Sequence, residues 1–186
     1  MLAANELLVN ELVKIAERKG RVLYDFTNEV ITQAIRADKM GLTLKEVLDE
    51  RGIVEEAKRS GFTLVFKRLW YEVLDRLYEG SEREWLIEEW RETGRWYGKF
   101  SYSRSPEDPL RALENGIRTV MWDIEDFEVA EEEDLISLRC ISAGFSEAYT
   151  LLLSTFFKGA LDALGYELVD EELSKGIITL KFRKKE

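Results

Sequence analysis

The sequence predicts an α+β protein: a helical N-terminal region, further helices, and then an antiparallel layer in the order strand, strand, helix, strand, strand. Three observations carry this. Over the first two thirds of the chain, apolar residues recur every three or four positions, the period of helices with one buried face. Over the last third, short apolar and β-branched runs come in pairs separated by charged or glycine-containing turns. Finally, 186 residues with 45% hydrophobic and 34% charged side chains suit one ordinary domain or two small modules.

In chain order, residues 3–19 read as a helix with Leu8, Leu12, Ile15 and Ala16 on one face and Leu7 beside them. Gly20 is its natural stop, with Arg18 and Lys19 complementing the carbonyl end of the dipole. Residues 22–26 read as a short strand or as the first turn of a helix, and their β-branched and aromatic content favours the strand. Val30, Ile31, Ala34 and Ile35 are helically spaced. Thr43-Leu44-Lys45-Glu46 is a capping box, in which Thr43 and Glu46 each satisfy a free backbone N–H. Its helix is expected to break near Gly52 and to end before Gly61. Residues 62–66 read as a strand or an extended linker, and they separate a module at 1–61 from a domain at 62–186.

A helix at 67–78 follows, with Leu69, Trp70, Val73, Leu74, Leu77 and Tyr78 on one wide face. Ser81 and Glu84 read as a second capping box opening a helix at 82–97. Ser105 before Pro106 reads as a third helix start, because proline in a first turn loses no hydrogen bond. Residues 124–129 and 135–142 are strand-like and flank Glu131-Glu132-Glu133-Asp134, a hairpin with an acidic tip. Residues 146–164 form a long apolar helix ended by Gly165. Leu152, Leu153, Phe156, Phe157, Ala160, Ala163 and Leu164 take one side of it, and Glu147, Ser154, Lys158 and Asp162 the other. Gly159 lies at the edge of the apolar side, where a strand backbone is expected to approach. Residues 166–169 and 177–182 read as the closing strand pair, joined around Lys175-Gly176.

Missing residues exclude most catalytic classes. There is no histidine and a single cysteine, Cys140, in an apolar strand. Ser-His-Asp and Cys-His catalysis, histidine-ligated haem, and cysteine-rich zinc or iron–sulfur sites are ruled out. No disulfide can form within the chain, and no metal or cofactor is expected. Against 27 Lys+Arg stand 37 Asp+Glu, a net charge of −10. Residues 1–60 carry 10 basic and 11 acidic side chains, a net of −1, and the remainder carries −9. An acidic surface repels phosphate backbones, so a DNA contact would have to come from the first third. The longest uncharged run, residues 148–157, is half the roughly 20 residues a spanning helix needs. The protein therefore reads as cytoplasmic, and its few amides among 64 charged residues resemble thermophilic usage.

Aromatic residues are the features that invite a ligand. Leu86, Trp90, Thr93 and Tyr97 form one stripe of a helix, with Trp85 and Trp96 on the adjoining strip. Such rings wall an apolar pocket or pack as core and interface, and both readings stand. Gly94 and Gly98 lack phosphate-loop spacing and read as glycines that end a helix and allow close backbone approach. The acidic tip and the basic C-terminal residues Lys181, Arg183, Lys184 and Lys185 read as solvated faces.

With its glycine pair in Thr93-Gly94-Arg95-Trp96-Tyr97-Gly98, its helix leading to Trp122, its run Phe156-Phe157-Lys158-Gly159-Ala160-Leu161 and its closing Lys175-Gly176-Ile177-Ile178, the stretch 88–183 resembles the 4-vinyl-reductase domain and the related small TRAPP trafficking subunits. The resemblance implies a small-molecule or lipid pocket, used in sensing or tetrapyrrole handling, together with dimerisation. It points to Trp90, Trp96, Tyr97, Trp122 and Phe156 as ligand-binding residues. The cysteines common in the last strands of sensor forms are absent here. Residues 22–26, 28–39, Gly41-Leu42-Thr43 and 44–59 resemble, in spacing, a ribbon-helix-helix module. That resemblance implies a dimer whose paired strands read DNA with alternate side chains, Arg21 among them.

Together these readings describe a non-enzymatic homodimer. Its C-terminal domain senses a small apolar or lipid ligand or a partner. Its helical N-terminal module mediates dimerisation, either as a dimerisation element only or with DNA contact, which the charge balance disfavours. The alternatives are an assembly subunit without a ligand and an enzyme related to the 4-vinyl reductases. A cavity lined by Trp90, Trp96 or Trp122 would favour sensing. A solid core beneath a large apolar surface would favour assembly.

Overall fold

The computed structural model describes residues 5–132 and 135–185. The chain divides into two compact units, Met1–Val54 and Glu55–Glu186. The fold is α+β, with helices preceding a strand-strand-helix-strand-strand layer.

The first unit holds α1 (Glu6–Arg18), α2 (Leu23–Lys39) and the start of α3 (Leu44–Arg59). Asn5 caps α1 by accepting from the Leu7 N–H at 2.9 Å. Gly20 ends it at φ +62°, a left-handed conformation that costs glycine nothing. The strand expected at 22–26 is absent, because Leu23 through Lys39 form one helix. The β-branched content there is a single residue, Val22, which sits in extended conformation as the helix cap, and one turn of preference yields to the helical pattern that follows. This removes the ribbon from the expected ribbon-helix-helix module. Arg21, the expected DNA reader, pairs with Glu29 and lies 5.4 Å from the Phe26 ring. The capping box is present: the Thr43 N–H donates to Glu46 at 2.6 Å and the Glu46 N–H to Thr43 Oγ1 at 3.2 Å. α3 runs unbroken through Gly52, since one interior glycine costs only about 1 kcal/mol.

The second unit continues with α4 (Lys67–Glu79), α5 (Arg83–Arg104), α6 (Pro109–Val120), β1 (Asp126–Glu132), β2 (Leu135–Ile141), α7 (Glu147–Ala163), β3 (Tyr166–Ser174) and β4 (Ile177–Lys184). Residues 62–66 form an irregular linker. Two helix starts differ from expectation. The Ser81–Glu84 box does not form; Glu82 precedes α5 without a side-chain cap. α6 begins at Pro109 behind an Asp108 cap that accepts from the Arg111 N–H at 3.0 Å, and so uses the second proline, not Pro106. Glu133 and Asp134 of the acidic tip lie outside the described residues.

The antiparallel sheet has the order β1-β2-β4-β3. Its register pairs Phe127 with Cys140, Leu138 with Leu180, and Ile136 with Phe182. These side chains share the buried face, and the opposite face carries charged pairs such as Lys181–Asp170 at 3.0 Å. Gly176 turns the last hairpin at φ +79°.

α7 lies between the sheet and α5 and is buried on nearly every side. Ser154, expected on a polar face, is 1% exposed, and its hydroxyl is satisfied by the Leu151 carbonyl at 2.8 Å. The reason for this enclosure is backbone contact with α5. A Cβ on Gly94 would overlap the Phe156 carbonyl oxygen, one on Gly98 the Ala160 carbonyl oxygen, and one on Gly159 the Arg91 carbonyl oxygen. Gly94 and Gly98 thus sit inside α5, which extends past the expected stop to Arg104. The neighbour of Gly159 is a helix, not a strand.

All five tryptophans fall between positions 70 and 122, so their fluorescence reports on the second unit alone. Gly98→Ala is expected to lower that unit's stability in urea by about 1–3 kcal/mol or more, because backbone atoms cannot move aside as side chains do. Gly52→Ala, where a Cβ meets nothing within 4 Å, is expected to gain about 0.5–1 kcal/mol by far-ultraviolet circular dichroism. A neutral Gly98→Ala would contradict the backbone contact.

Candidate functional site

The five aromatic candidates do not converge. The α5 stripe predicted from the sequence turns Leu86 and Tyr97 into the core and leaves Trp90 partly buried, while Trp85 and Trp96 face outward at 54% and 51% exposure. Trp96 stacks on Phe100 at 5.3 Å. Trp122 is 59% exposed, and its indole N–H donates to the Thr119 carbonyl at 3.0 Å at the end of α6. Tyr97 and Phe156 meet at 5.6 Å as buried core partners. Trp90 sits edge-on against Tyr149 at 5.6 Å. The side chains meant to wall one apolar pocket are therefore divided between core and surface.

The structure assembles a different group beside α7. The Tyr71 hydroxyl of α4 donates to Asp123 Oδ2 at 2.5 Å, joining α4 to the segment before β1. Tyr149 of α7 packs on Tyr71 at 4.8 Å and on Phe145 at 4.9 Å. Burial, followed by the hydrogen bond and charge of Asp123, pushes the Tyr71 hydroxyl far above its ordinary range. Burial and then Asp123 do the same to Tyr149. Burial alone raises Tyr97 to about 12. The Cys140 thiol is pushed up to about 12 by burial and then by the charges of Asp123 and Asp126, which disfavours the thiolate a nucleophile needs. Among the described residues, no group of three or more Cys, Asp and Glu side chains is placed to hold a metal ion.

Next to this cluster, α4 and the loop before α7 border a surface cleft of about 420 Å³. Arg68, Glu72, Asp75, Arg76 and Glu79 line it from α4, and residues 143–146 with Lys175 from the other side. Ser146 caps α7, accepting from the Tyr149 N–H at 3.2 Å and donating to Asp75 Oδ1 at 2.6 Å. The Thr150 hydroxyl accepts from the Gly176 N–H at 2.9 Å and so seats the last hairpin against the same helix start. A second cleft, of about 210 Å³, is lined by Asp108, Leu110, Arg111, Glu114, Val129 and Glu131. None of the aromatic candidates lines either cleft.

Sequence reasoning missed Tyr71, Asp75 and Tyr149 because no local spacing marks them; Tyr71 and Asp123 stand 52 positions apart. Ser146 was visible only as a helix start.

In the first unit the notable feature is apolar exposure. Leu7, Leu8, Tyr24, Ile35, Met40 and Leu48 are between 52% and 75% exposed, whereas the buried hydrophobic residues described there are Ala16, Phe26 and Ala37. Tyr24, Ile31 and Ile35 follow one stripe of α2 at i, i+7 and i+11.

The raised tyrosine groups hold their protons more tightly folded than unfolded. Their contribution to stability is therefore complete below the ordinary tyrosine value of 10 and is lost as pH rises through 10 toward 12. In an alkaline titration followed by near-ultraviolet absorbance, Tyr71, Tyr97 and Tyr149 are expected to ionise only as the second unit unfolds. Ionisation of all seven tyrosines in a folded protein would contradict this. Tyr71→Phe, which leaves the Asp123 carboxylate without its donor, should cost about 1.5–3 kcal/mol.

No family model matches the sequence, and no curated protein matches it. Among solved structures, one titled "Probing the function of heme distortion in the H-NOX family" is similar over 75% of this chain and 87% of that chain, at 15% identity and a TM-score of 0.41. A likeness of that degree carries no argument about what this chain binds or does.

Proposed function

We infer that the protein is a non-catalytic assembly protein that joins to a second copy of itself through its N-terminal helices and presents the α+β unit as a platform. One observation carries this reading: the first unit buries few side chains while its helices expose large apolar ones. Ordering a residue costs about 1–2 kcal/mol of backbone entropy, and burial of Ala16, Phe26 and Ala37 does not offset that over three helices. The missing burial has to come from another surface. A second copy suits it because residues 1–60 carry a net of only −1, so two such faces meet without charge repulsion, whereas the remainder at −9 repels its like. The outward faces of α1 and α2, drawn from 13 and 17 residues, supply part of the roughly 20–30 residues a side of a standard interface.

The division of the aromatic candidates between core and surface supports assembly over apolar-ligand sensing. The strand-strand-helix-strand-strand layer is compatible with the resemblance of 88–183 to 4-vinyl-reductase domains and TRAPP subunits, and assembly is the role of the trafficking members.

Light scattering on the full chain at tens of micromolar is expected to show a dimer. Ile35→Glu and Tyr24→Glu, each at an exposed site, should shift it toward monomer with an unchanged circular dichroism spectrum. A monomeric wild type, or a dimer indifferent to both substitutions, would sink this reading.

A further inference from the structure

We propose that the α4–α7 cleft binds the phosphate group of a small phosphomonoester, held where Gly144 meets Lys67. A Cβ on Gly144 would lie 2.7 Å from Lys67 Nζ, so the ammonium rests directly on the backbone of the loop, where a side chain would displace it. Ser142 faces the same point: its Oγ is 3.8 Å from that Cβ position, and the residue is 1% exposed. Among the described residues this hydroxyl is the buried side-chain group left without a hydrogen-bond partner. Buried hydroxyls are normally satisfied, and one left without a partner beside the Gly144 backbone, in the loop leading into a helix start, is available to donate to an anion.

The surroundings supply the rest of the charge. Arg68 and Lys175 line the cleft, and Lys67 reaches the Gly144 backbone at its border with its ammonium 5.5 Å from the Tyr71 ring. These three make no ion pair among the described residues, although the protein as a whole carries −10. The acids lining the cleft are partly engaged already: Glu72 pairs with Arg76 at 2.8 Å, and Asp75 accepts from Ser146 at 2.6 Å. α7, with 17 residues, directs its N-terminal dipole toward the loop. Three cations with a hydroxyl donor match a dianion with several oxygens better than a single carboxylate. A volume of about 420 Å³ exceeds what bare phosphate fills, which leaves room for a polar organic body beside Tyr71 and Glu79.

The test is calorimetry and thermal shift on the full chain with inorganic phosphate, glycerol 3-phosphate, and phosphatidylcholine vesicles doped with phosphatidic acid. Both soluble probes are expected to bind and to raise the melting temperature, glycerol 3-phosphate more strongly. Lys67→Met and Ser142→Ala should each weaken binding about tenfold or more, while Lys99→Met on α5 should not. Ser142→Ala separates ligation from structure. Without phosphate it should leave the melting temperature unchanged or raised, since it removes an unsatisfied hydroxyl, yet it should lose most of the phosphate-induced shift. No binding of either soluble probe, binding of vesicles alone, or binding indifferent to both Lys67→Met and Ser142→Ala would overturn the proposal.

Discussion

The contact on which the second unit depends is between two helix backbones. α5 and α7 touch through Gly94, Gly98 and Gly159, with carbonyl oxygens occupying the space where Cβ atoms would otherwise stand. Ordinary ridges-into-grooves packing keeps helix axes apart by the depth of interlocked side chains. Removing that layer lets α7 sink against α5 while its far side meets the sheet, so few of its residues reach solvent. The same approach fixes the rotation of α5. With Gly94 and Gly98 directed at α7, Tyr97 must point inward beside Phe156 and Trp96 must point out. The aromatic pocket suggested by the sequence is incompatible with this rotation. Arg95 and Lys185 close the end of the contact by sharing Asp162 at 3.2 and 2.6 Å, and these bonds, that of Lys185 first, hold its carboxyl below the usual range.

The two units solve the burial problem differently. In the second, one helix threaded between a sheet and other helices gives nearly every large apolar side chain of the layer a neighbour. In the first, the hydrophobic stripes are as regular, but the small buried set leaves them facing outward. Phe26 is one of the few large side chains enclosed there, with Lys19 and Arg21 each 5.4 Å from its ring. Equal sequence regularity with unequal burial is what separates the first unit from the second.

Legibility followed locality. The order of elements from residue 67 onward, the Thr43–Glu46 box and the glycine stops at Gly20 and Gly165 depend on residues a few positions apart, and each appears in the structure. The start of α2 was misread because residues 22–26 weigh one turn of β-propensity against the helix that absorbs it. Gly94 and Gly98 were half legible: their close approach was expected, but not that it would occur within a continuing helix. Nothing in one sequence says whether a glycine ends a helix or receives a neighbour, because the neighbour, Phe156, lies far along the chain. The Tyr71–Asp123 bond escaped for the same reason, as did the cleft beside it.

Helix ends show where stability and function part company. α1, α2, α3, α5 and α7 each place an acid in the first turn, where it complements the dipole. α6 lacks one but gains the Asp108 cap. α4 has neither: it opens with Lys67 and Arg68 and carries no side-chain cap. A sequence with 37 acids had the means to place one there. Stability alone accounts for the other six helices and leaves this one unexplained, as it leaves the Ser142 hydroxyl unexplained. The two anomalies adjoin, across the Gly144 backbone. An anion between them would answer both, by neutralising the cations that burden the start of α4 and accepting from the hydroxyl that has no partner.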